Sequence, residues 1–332
     1  MNFEDRLNYY DNGYELLNDF HLGAGSRKHL GVKGEECRFC GLKEPKVTFK
    51  NDSHAVPEFL GNHQLISNYE CDACNTFFSR NLEDHLDKYT KPYRTIAQIK
   101  GKTKVPSYKS RDARARFDVK PHKPPAILAR PDEPHVSFDY NNKTLTYLFQ
   151  IEPHVPVAVY KCLVKIGLSI ISKEELVNFA NSLRWINEPV HSRGYFSPLV
   201  LLKTFVPGPR PNKDLKIMIF KKKDLVSLRP HYFLLLAFGN LVYQIVFPSD
   251  LDRILQNTNS KLVPIPLPFE VSWPHGKLEL ELVQLNDIHV VKDMTVPIAF
   301  GFDRMEPADE YAGKNLEELG YKKLDSKSIL ND

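Results

Sequence analysis

The sequence predicts a mixed α+β protein of two domains, the first of which is held together by a metal ion. Three observations support this prediction. Four of the five cysteines form two Cys-x2-Cys pairs in the first quarter of the chain. Farther on, a helical pattern at 156–171 is followed by alternating strand patterns. The length of 332 residues is enough for two domains, each with its own core.

The two cysteine pairs predict a structural zinc site. Thirty residues separate the first pair from the second. Four thiolates complete a tetrahedral Zn²⁺ site and leave no coordination position open, so such a site is structural. In a reducing compartment these pairs hold metal rather than form disulfides. The predicted zinc ligands are Cys37, Cys40, Cys71 and Cys74.

The segment before the cysteines, residues 1–36, is predicted to be a helix followed by a linker. Phe3, Leu7 and Tyr10 begin a helical spacing that extends over 3–20, although Asn12-Gly13 weakens its middle. The joint that follows is rich in Gly and Lys. We place the metal-bearing domain at residues 37–100.

Residues 101–135 are predicted to be a basic, proline-rich linker that separates the two domains. Between Lys88 and Arg130 there are 13 Lys/Arg and two acids, a net charge of +11. A solvated linker accounts for this charge, but a contact with the phosphate backbone of a nucleic acid fits it better. The residues predicted to make this contact are Lys100, Lys102, Lys104, Lys109, Arg111, Arg114 and Arg116.

Residues 136–332 are predicted to form a mixed α+β domain. Hairpins are expected around Asn141-Asn142 and Gly239-Asn240, and an alternating strand at 277–285. The helix at 156–171 has only three polar residues, spaced by four on one stripe, so its other faces are predicted to be buried. These residues are Lys161, Lys165 and Ser169. A Ser172/Glu175 capping box opens the next helix.

Two features bear on the location of the protein. No apolar stretch approaches the roughly 20 residues that a membrane span requires. The first residues, MNFEDRLNYYDNGYELL, carry acids and lack a continuous apolar core, so they do not indicate a secretory signal. The expected location is the cytoplasm, without membrane contact.

Three polar residues lie between and beside the cysteine pairs. His54 is in an apolar, strand-like stretch, Asn68 precedes the second pair, and Asn75 directly follows Cys74. With the four cysteines, this order resembles the HNH endonuclease family over residues 37 to about 100. The resemblance is greatest to HNH effector domains of bacterial anti-phage systems, including those fused to SAVED nucleotide sensors. It rests on four segments in this order: HAVPEFLGN, NYECDACN, FFSRNLEDHLDKY and KPYRTIAQIKGK.

The resemblance implies a fold of the ββα-metal type and a hydrolytic chemistry. His54, as a neutral imidazole, would act as general base on the attacking water. One divalent ion, Mg²⁺ or Mn²⁺, would bind the phosphate and stabilise its growing negative charge. Asn75 would coordinate that ion through its amide oxygen. Asn68 would brace the loop and the imidazole without contacting substrate.

One position departs from the family pattern. Many members carry an acidic metal ligand directly before the base histidine, where this chain has Ser53. Glu83 is the favoured replacement, because Asn75, Ser79 and Glu83 are spaced by four and share a helix face. An ordinary exposed helix acid is the alternative interpretation of Glu83. His85 and Asp52 are weaker candidates for the same ligand.

The sequence therefore predicts an HNH endonuclease that hydrolyses DNA and serves as a regulated effector in anti-phage defence. The alternative is a non-catalytic zinc module that binds nucleic acid through residues 88–130. For residues 136–332 three roles stay open: sensing a nucleotide signal, binding a partner protein, or assembling the chain into a homo-oligomer.

Overall fold

The computed structural model of the protein describes residues 3–23, 25–109, 115–118, 126–129, 134–224, 229–252, 265–268 and 275–301. By their mutual contacts, residues 1–133 and 149–296 form one compact unit, and the described residues 134–148 and 297–301 belong to a second. Helices and strands are both present, as the predicted α+β class requires. In the described parts, no helix is long and apolar enough to cross a membrane.

The elements are as follows. The helices are α1 (Phe3–Gly13), α2 (Asp72–Phe78), α3 (Asp84–Ile96), α4 (Pro156–Ile170), α5 (Lys173–Leu176) and α6 (Ala180–Ile186). The strands are β1 (Tyr14–Leu22), β2 (Lys28–Leu30), β3 (Leu65–Ser67), β4 (Tyr108–Lys109), β5 (Ala115–Asp118), β6 (Ala126–Ala129), β7 (Val136–Asp139), β8 (Thr144–Gln150), β9 (Val200–Phe205), β10 (Asn212–Lys222), β11 (Tyr232–Gly239), β12 (Leu241–Val246), β13 (Glu279–Gln284) and β14 (Thr295–Gly301).

A six-stranded antiparallel sheet, in the order β1-β10-β11-β12-β9-β13, forms the centre of the larger unit. The predicted hairpin at Gly239-Asn240 is confirmed, since β11 and β12 pair antiparallel on either side of it. Gly239 has φ +53°, a left-handed conformation that glycine adopts readily. Every residue of β11 and β12 is buried, which explains their continuous apolar sequence. The predicted strand at 277–285 is β13, an exposed edge strand.

The N-terminal helix is shorter than predicted, and the prediction over 3–20 was wrong beyond Gly13. The chain leaves the helix at Asn12-Gly13 and continues as β1, which pairs antiparallel with β10. Tyr10 is in α1 as predicted, whereas Tyr14, which continued the predicted helical spacing, begins β1. Both pack on the sheet, with ring centroids 5.0 Å apart for Tyr10 and Phe220 and 4.9 Å apart for Tyr14 and Phe233. The strand that recruits β1 lies about 200 residues farther along the chain, beyond the reach of local periodicity.

Helix α4 is the most buried helix of the described structure. All of its residues are buried, and it packs against α3, α6 and a π-helical turn that follows α2. The helix was predicted correctly, but its polar stripe is buried as well. Lys161 pairs with Glu188 at 3.2 Å, and Ser169 donates a hydrogen bond to the carbonyl of Lys165. Buried charges require such partners.

The helix after α4 is capped as predicted but is interrupted. Ser172 Oγ accepts a hydrogen bond from the Glu175 amide at 3.4 Å. A 3₁₀ turn then separates α5 from α6. Glu175 accepts hydrogen bonds from Lys221 and Tyr232 of the sheet. Burial raises the pKa of Glu175, but these hydrogen bonds outweigh burial and hold the pKa below its ordinary value.

The basic segment predicted as a linker contains regular structure. Strands β4, β5 and β6 form a small antiparallel sheet, and the rings of Tyr108 and Phe117 pack on Phe149. The division into domains at 101–135 stays a prediction. In the smaller unit, the predicted hairpin around Asn141-Asn142 is confirmed by the antiparallel pairing of β7 and β8.

Candidate functional site

The four predicted zinc ligands lie together. The sulfur atoms of Cys37, Cys40, Cys71 and Cys74 are all within 4.8 Å of one another, and those of Cys40 and Cys71 are 3.8 Å apart. Tetrahedral zinc with Zn–S bonds of about 2.3 Å places its sulfurs about 3.8 Å apart. The cluster is therefore compatible with a structural zinc ion.

Two local turns build the cluster. The first cysteine pair lies in a tight turn in which the Gly41 amide donates to the Cys37 carbonyl and Gly41 has φ +69°. The second pair opens α2, where Cys71 is the N-cap, and the Cys71 amide donates to the sulfur of Cys37 at 3.4 Å. A hydrogen bond from Cys74 and the backbone amide of Cys71 lower the pKa of Cys37, whereas burial raises the pKa of Cys71 and the hydrogen bond to Cys37 raises the pKa of Cys74. The thiolate is the form that binds metal.

His54 is held by a short antiparallel pairing with β3. An isolated bridge joins His54 to Ile66, with hydrogen bonds from Ala55 to Leu65 (3.1 Å) and from Ser67 to Ser53 (2.7 Å). The Ser53 side chain is buried and donates to a backbone carbonyl. Ser53, which stands where many family members have an acidic metal ligand, therefore uses its hydroxyl group in this hydrogen bond.

The helix after Cys74 places three polar residues on one wall. A π-helical turn at Ser79–Glu83 joins α2 to α3. Such turns are frequent at functional sites. Asn75, Ser79 and Glu83 all line one cleft, as their spacing predicted.

This cleft has a volume of about 600 Å³. It brings together His54, Asn75, Glu83 and Asp52 among the residues predicted from the sequence. The remaining lining residues are Asn51, Pro57, Glu58, Thr76, Ser79, Arg80 and Lys102. The cleft therefore joins a histidine, two amides, three carboxylates and two cationic side chains.

The imidazole of His54 lies partly buried in the cleft wall. Its Nε2 atom is 3.5 Å from Glu58 Oε1, and its buried Nδ1 atom has no hydrogen-bond partner among the described residues. Burial lowers the pKa of His54, while the carboxylate of Glu58 opposes this shift. Glu58 was not among the residues predicted from the sequence. Its position four residues after His54, in HAVPE, is the only sequence signal for it.

Two predicted residues do not line the cleft. Asn68 donates through Nδ2 to the carbonyl of Gly31 at 3.0 Å, so it braces the loop near the cysteines. His85 accepts a hydrogen bond at Nδ1 from the Val155 amide, and its ring packs edge-on against that of His191. Asp52 lines the cleft but is paired with Arg27 at 2.9 Å. Glu83 also lines the cleft and is paired with Lys165 at 3.4 Å, so two of the three candidates, Asp52 and Glu83, reach the cleft.

The predicted nucleic-acid contacts are described only in part. Lys100, Lys102, Lys104 and Lys109 are exposed, and Lys102 reaches the rim of the cleft. Arg111 and Arg114 lie outside the described residues, and Arg116 is placed only by its backbone in β5. Arg80, which the sequence analysis did not single out, is a further exposed cation on the cleft wall.

A buried lysine lies next to the cleft. Lys165 of α4 is completely buried, with its Nζ atom 3.0 Å from Glu70 and 3.4 Å from Glu83. Burial lowers the pKa of Lys165, but the two carboxylates outweigh burial and raise the pKa above its ordinary value. Burial raises the pKa of Glu70, and the ammonium group of Lys165 opposes this shift.

The donor set of the cleft fits a hard divalent cation. The Asn75 amide and the carboxylates of Asp52, Glu58 and Glu83 offer oxygen, the ligand that Mg²⁺ prefers. Apart from the zinc cysteines, no three His, Cys, Asp or Glu side chains in the described ranges lie close enough to hold an ion. Mg²⁺ commonly binds one or two protein oxygens together with substrate phosphates and water. The cleft suits that shared mode of binding.

These features define a class of site: a four-cysteine cluster, compatible with zinc, in the same segment as a cleft lined by histidine, amide and carboxylate groups. Comparison with known proteins adds a family resemblance. Residues 37–91 match the family model described as HNH endonuclease, which confirms the resemblance seen in the sequence. No curated protein and no solved structure matches the chain.

Proposed function

We propose that the protein is a metal-dependent endonuclease that hydrolyses phosphodiester bonds of DNA through a ββα-metal site. The observation that carries the proposal is that His54, Asn75 and Glu83 line the same cleft, inside the segment that matches the HNH family. We assign Zn²⁺ to the four cysteines and Mg²⁺ or Mn²⁺ to the cleft.

His54 is the general base of the proposed reaction. A neutral imidazole accepts a proton from water as the water oxygen attacks phosphorus, and the bond from phosphorus to the 3′-oxygen breaks, so that the 3′-oxygen leaves and takes up a proton from solvent. Because Nδ1 is buried, Nε2 is the ring nitrogen assigned to accept the proton, and the carboxylate of Glu58, 3.5 Å from Nε2, is placed to stabilise the imidazolium that forms. When bound, a divalent ion supplies positive charge against the charge that develops on the phosphate. Asn75 and Glu83 are the oxygen donors that we assign to this ion.

Cationic side chains around the cleft would bind the DNA backbone. Arg80 and Lys102 line the cleft itself, and Lys100 and Lys104 continue the positive charge along the chain. Contacts of this kind position a protein on a duplex without selecting its sequence. We therefore expect cleavage with little sequence preference.

A plasmid-cleavage assay tests the proposal. Wild-type protein should cut supercoiled plasmid when Mg²⁺ or Mn²⁺ is added and not when the ion is omitted. Omission is preferable to a chelator, because a chelator also removes the structural zinc. His54→Ala should keep its zinc and its DNA affinity, yet cleave at least about 10²-fold more slowly, the lower value for general-base catalysis.

Asn75→Ala separates the two assigned roles. It should also cleave slowly but should, in addition, raise the Mg²⁺ or Mn²⁺ concentration needed for half-maximal cleavage. Undiminished cleavage by His54→Ala, purified free of contaminating nucleases, would support the alternative, a non-catalytic zinc module that binds nucleic acid through residues 88–130.

The rest of the chain is proposed to control this activity. An unregulated DNA nuclease destroys its host, so residues 136–332 are assigned to regulation through a partner protein, a nucleotide signal or homo-oligomer assembly. The similarity of the sequence to anti-phage effector domains supports a role as a cytoplasmic defence effector. The particle mass in solution, with and without candidate nucleotides, tests this assignment.

A further inference from the structure

A single buried ammonium group contacts both sides of the candidate cleft. Lys165 Nζ lies 3.4 Å from Glu83 Oε1 and 3.5 Å from the backbone carbonyl of His54. The same atom lies 3.0 Å from Glu70 Oε2. Lys165 belongs to α4, about 70 residues beyond the end of the family match. The family domain therefore receives an internal cation from outside its own sequence.

Burial determines which of these contacts holds the ammonium group of Lys165 in place. The side chains of Lys165 and Glu70 are completely buried, whereas Glu83 is 18% exposed and reaches the cleft. A buried charge must be paired, so Glu70 anchors the ammonium where water cannot replace it. Once anchored, the ammonium attracts Glu83 from one side and the carbonyl of His54 from the other. It thus fixes the distance between the strand that carries His54 and the helix that carries Glu83.

We propose that Lys165 is a positioning residue of the nuclease site. It holds Glu83 and His54 at a fixed distance from each other and does not touch substrate. This inference rests on the proposed function, since it concerns the geometry of that site. It also makes α4 a part of the catalytic apparatus. The segment that matches the family is then incomplete by itself, and a displacement of α4 would disturb metal binding.

A second buried lysine of α4 provides a control for substitutions of Lys165. Lys161 lies one turn away and is buried to the same extent, but it pairs with Glu188 and lies over the ring of Trp185. Neither Lys161 nor Glu188 lines the cleft. Loss of the Lys161 pair removes an equally buried lysine from the same helix, together with a partner, Glu188, that is 37% exposed, and leaves the contacts of Lys165 with His54 and Glu83 intact.

The test compares two double variants, Glu70→Gln/Lys165→Met and Glu188→Gln/Lys161→Met. Changing both members of each pair avoids the unpaired buried charge that a single substitution would leave. Zinc content and urea unfolding verify the fold. Cleavage is measured against Mn²⁺ concentration, and Mn²⁺ binding is measured by electron paramagnetic resonance on DNA complexes in a His54→Ala background, where the DNA stays intact.

We expect the Lys165 pair to require about 10–100-fold more Mn²⁺ in both measurements, the usual effect of losing a group that orients a metal ligand. The Lys161 pair should match wild type in both. Equal Mn²⁺ dependence of the two double variants, with His54→Ala inactive and wild type active, would overturn the inference and leave the proposed function standing. A wild-type protein that neither cleaves DNA nor binds Mn²⁺ on DNA would overturn both.

Discussion

Asn62→Ala tests how the chain around His54 is held together. The Asn62 side chain is completely buried between the two paired segments. Its Nδ2 atom donates to the carbonyls of Val56 (2.7 Å) and Leu65 (3.0 Å). Its Oδ1 atom accepts from the amides of Gln64 (3.0 Å) and Leu65 (2.8 Å). The side chain of Asn62 therefore makes the hydrogen bonds that backbone groups do not make with one another in this turn.

The expected loss in the free energy of unfolding follows from the polar groups that lose a hydrogen-bond partner in Asn62→Ala. The Leu65 carbonyl keeps a second donor, the amide of Ala55 at 3.1 Å. The Val56 carbonyl and the amides of Gln64 and Leu65 lose their Asn62 partner. Each buried polar group left unpaired costs about 1–3 kcal/mol. Taking the lower value for each of these groups, Asn62→Ala should lower the free energy of unfolding by about 3 kcal/mol.

Urea unfolding in the presence of zinc measures this loss. Asn81→Ala is a matched control, because Asn81 donates a single hydrogen bond to the carbonyl of Phe77. The control should lose about 1 kcal/mol or less. Zinc content should be unchanged in both variants, since neither asparagine is a ligand. A loss for Asn62→Ala no larger than that of Asn81→Ala would refute the argument that the side chain carries the turn.

Three further predictions concern the zinc site, the basic segment and the sheet. Cys71→Ala removes one of the four sulfur ligands, so zinc content should fall and the nuclease segment should become sensitive to protease; full zinc content with unchanged resistance would contradict the metal assignment. Replacing Lys100, Lys102 and Lys104 with Gln should reduce the slope of log affinity against log salt by about 0.9 for each phosphate that the protein no longer neutralises, and an unaltered slope would make this segment a solvated linker. Glu175 has a lowered pKa, so its ionised form stabilises the fold above about pH 4.3, and this stabilisation is lost as pH falls through the folded-state pKa. The stability difference between wild type and Glu175→Gln should therefore shrink from pH 7 to pH 3 in urea titrations, and a constant difference would disprove this role.

The parts of the fold that depend on local pattern could be predicted from the sequence. The cysteine spacing predicted a cluster because a zinc knuckle places both of its ligands within one short turn. Helix α4 and the hairpin at Gly239-Asn240 were predictable because their periodicity and turn residues are contiguous. Asn75 and Glu83 could be placed on one face, since helical spacing survives the intervening π turn.

The parts that depend on distant partners could not be predicted. The helical spacing at Tyr14 was overridden by pairing with Lys222. Lys165 was assigned to a polar stripe because no local pattern reveals that Glu70 and Glu83 lie within reach of its ammonium group. Glu58 was missed for a different reason: a 3₁₀ turn after Pro57 brings it back to His54, and the sequence signal for that turn is weak.

The pairing of β1 with β10 sets an order of events during synthesis. About 190 residues separate the end of β1 from the start of β10. At a translation rate of about 5–20 residues per second, β1 emerges roughly 10–40 s before its partner. The zinc knuckles are complete long before that, and Lys165 follows Glu83 by about 80 residues. Under the proposed function, the nascent chain therefore carries all four cysteines before its cleft receives the ammonium group of Lys165, and the site is complete only after α4 has been made.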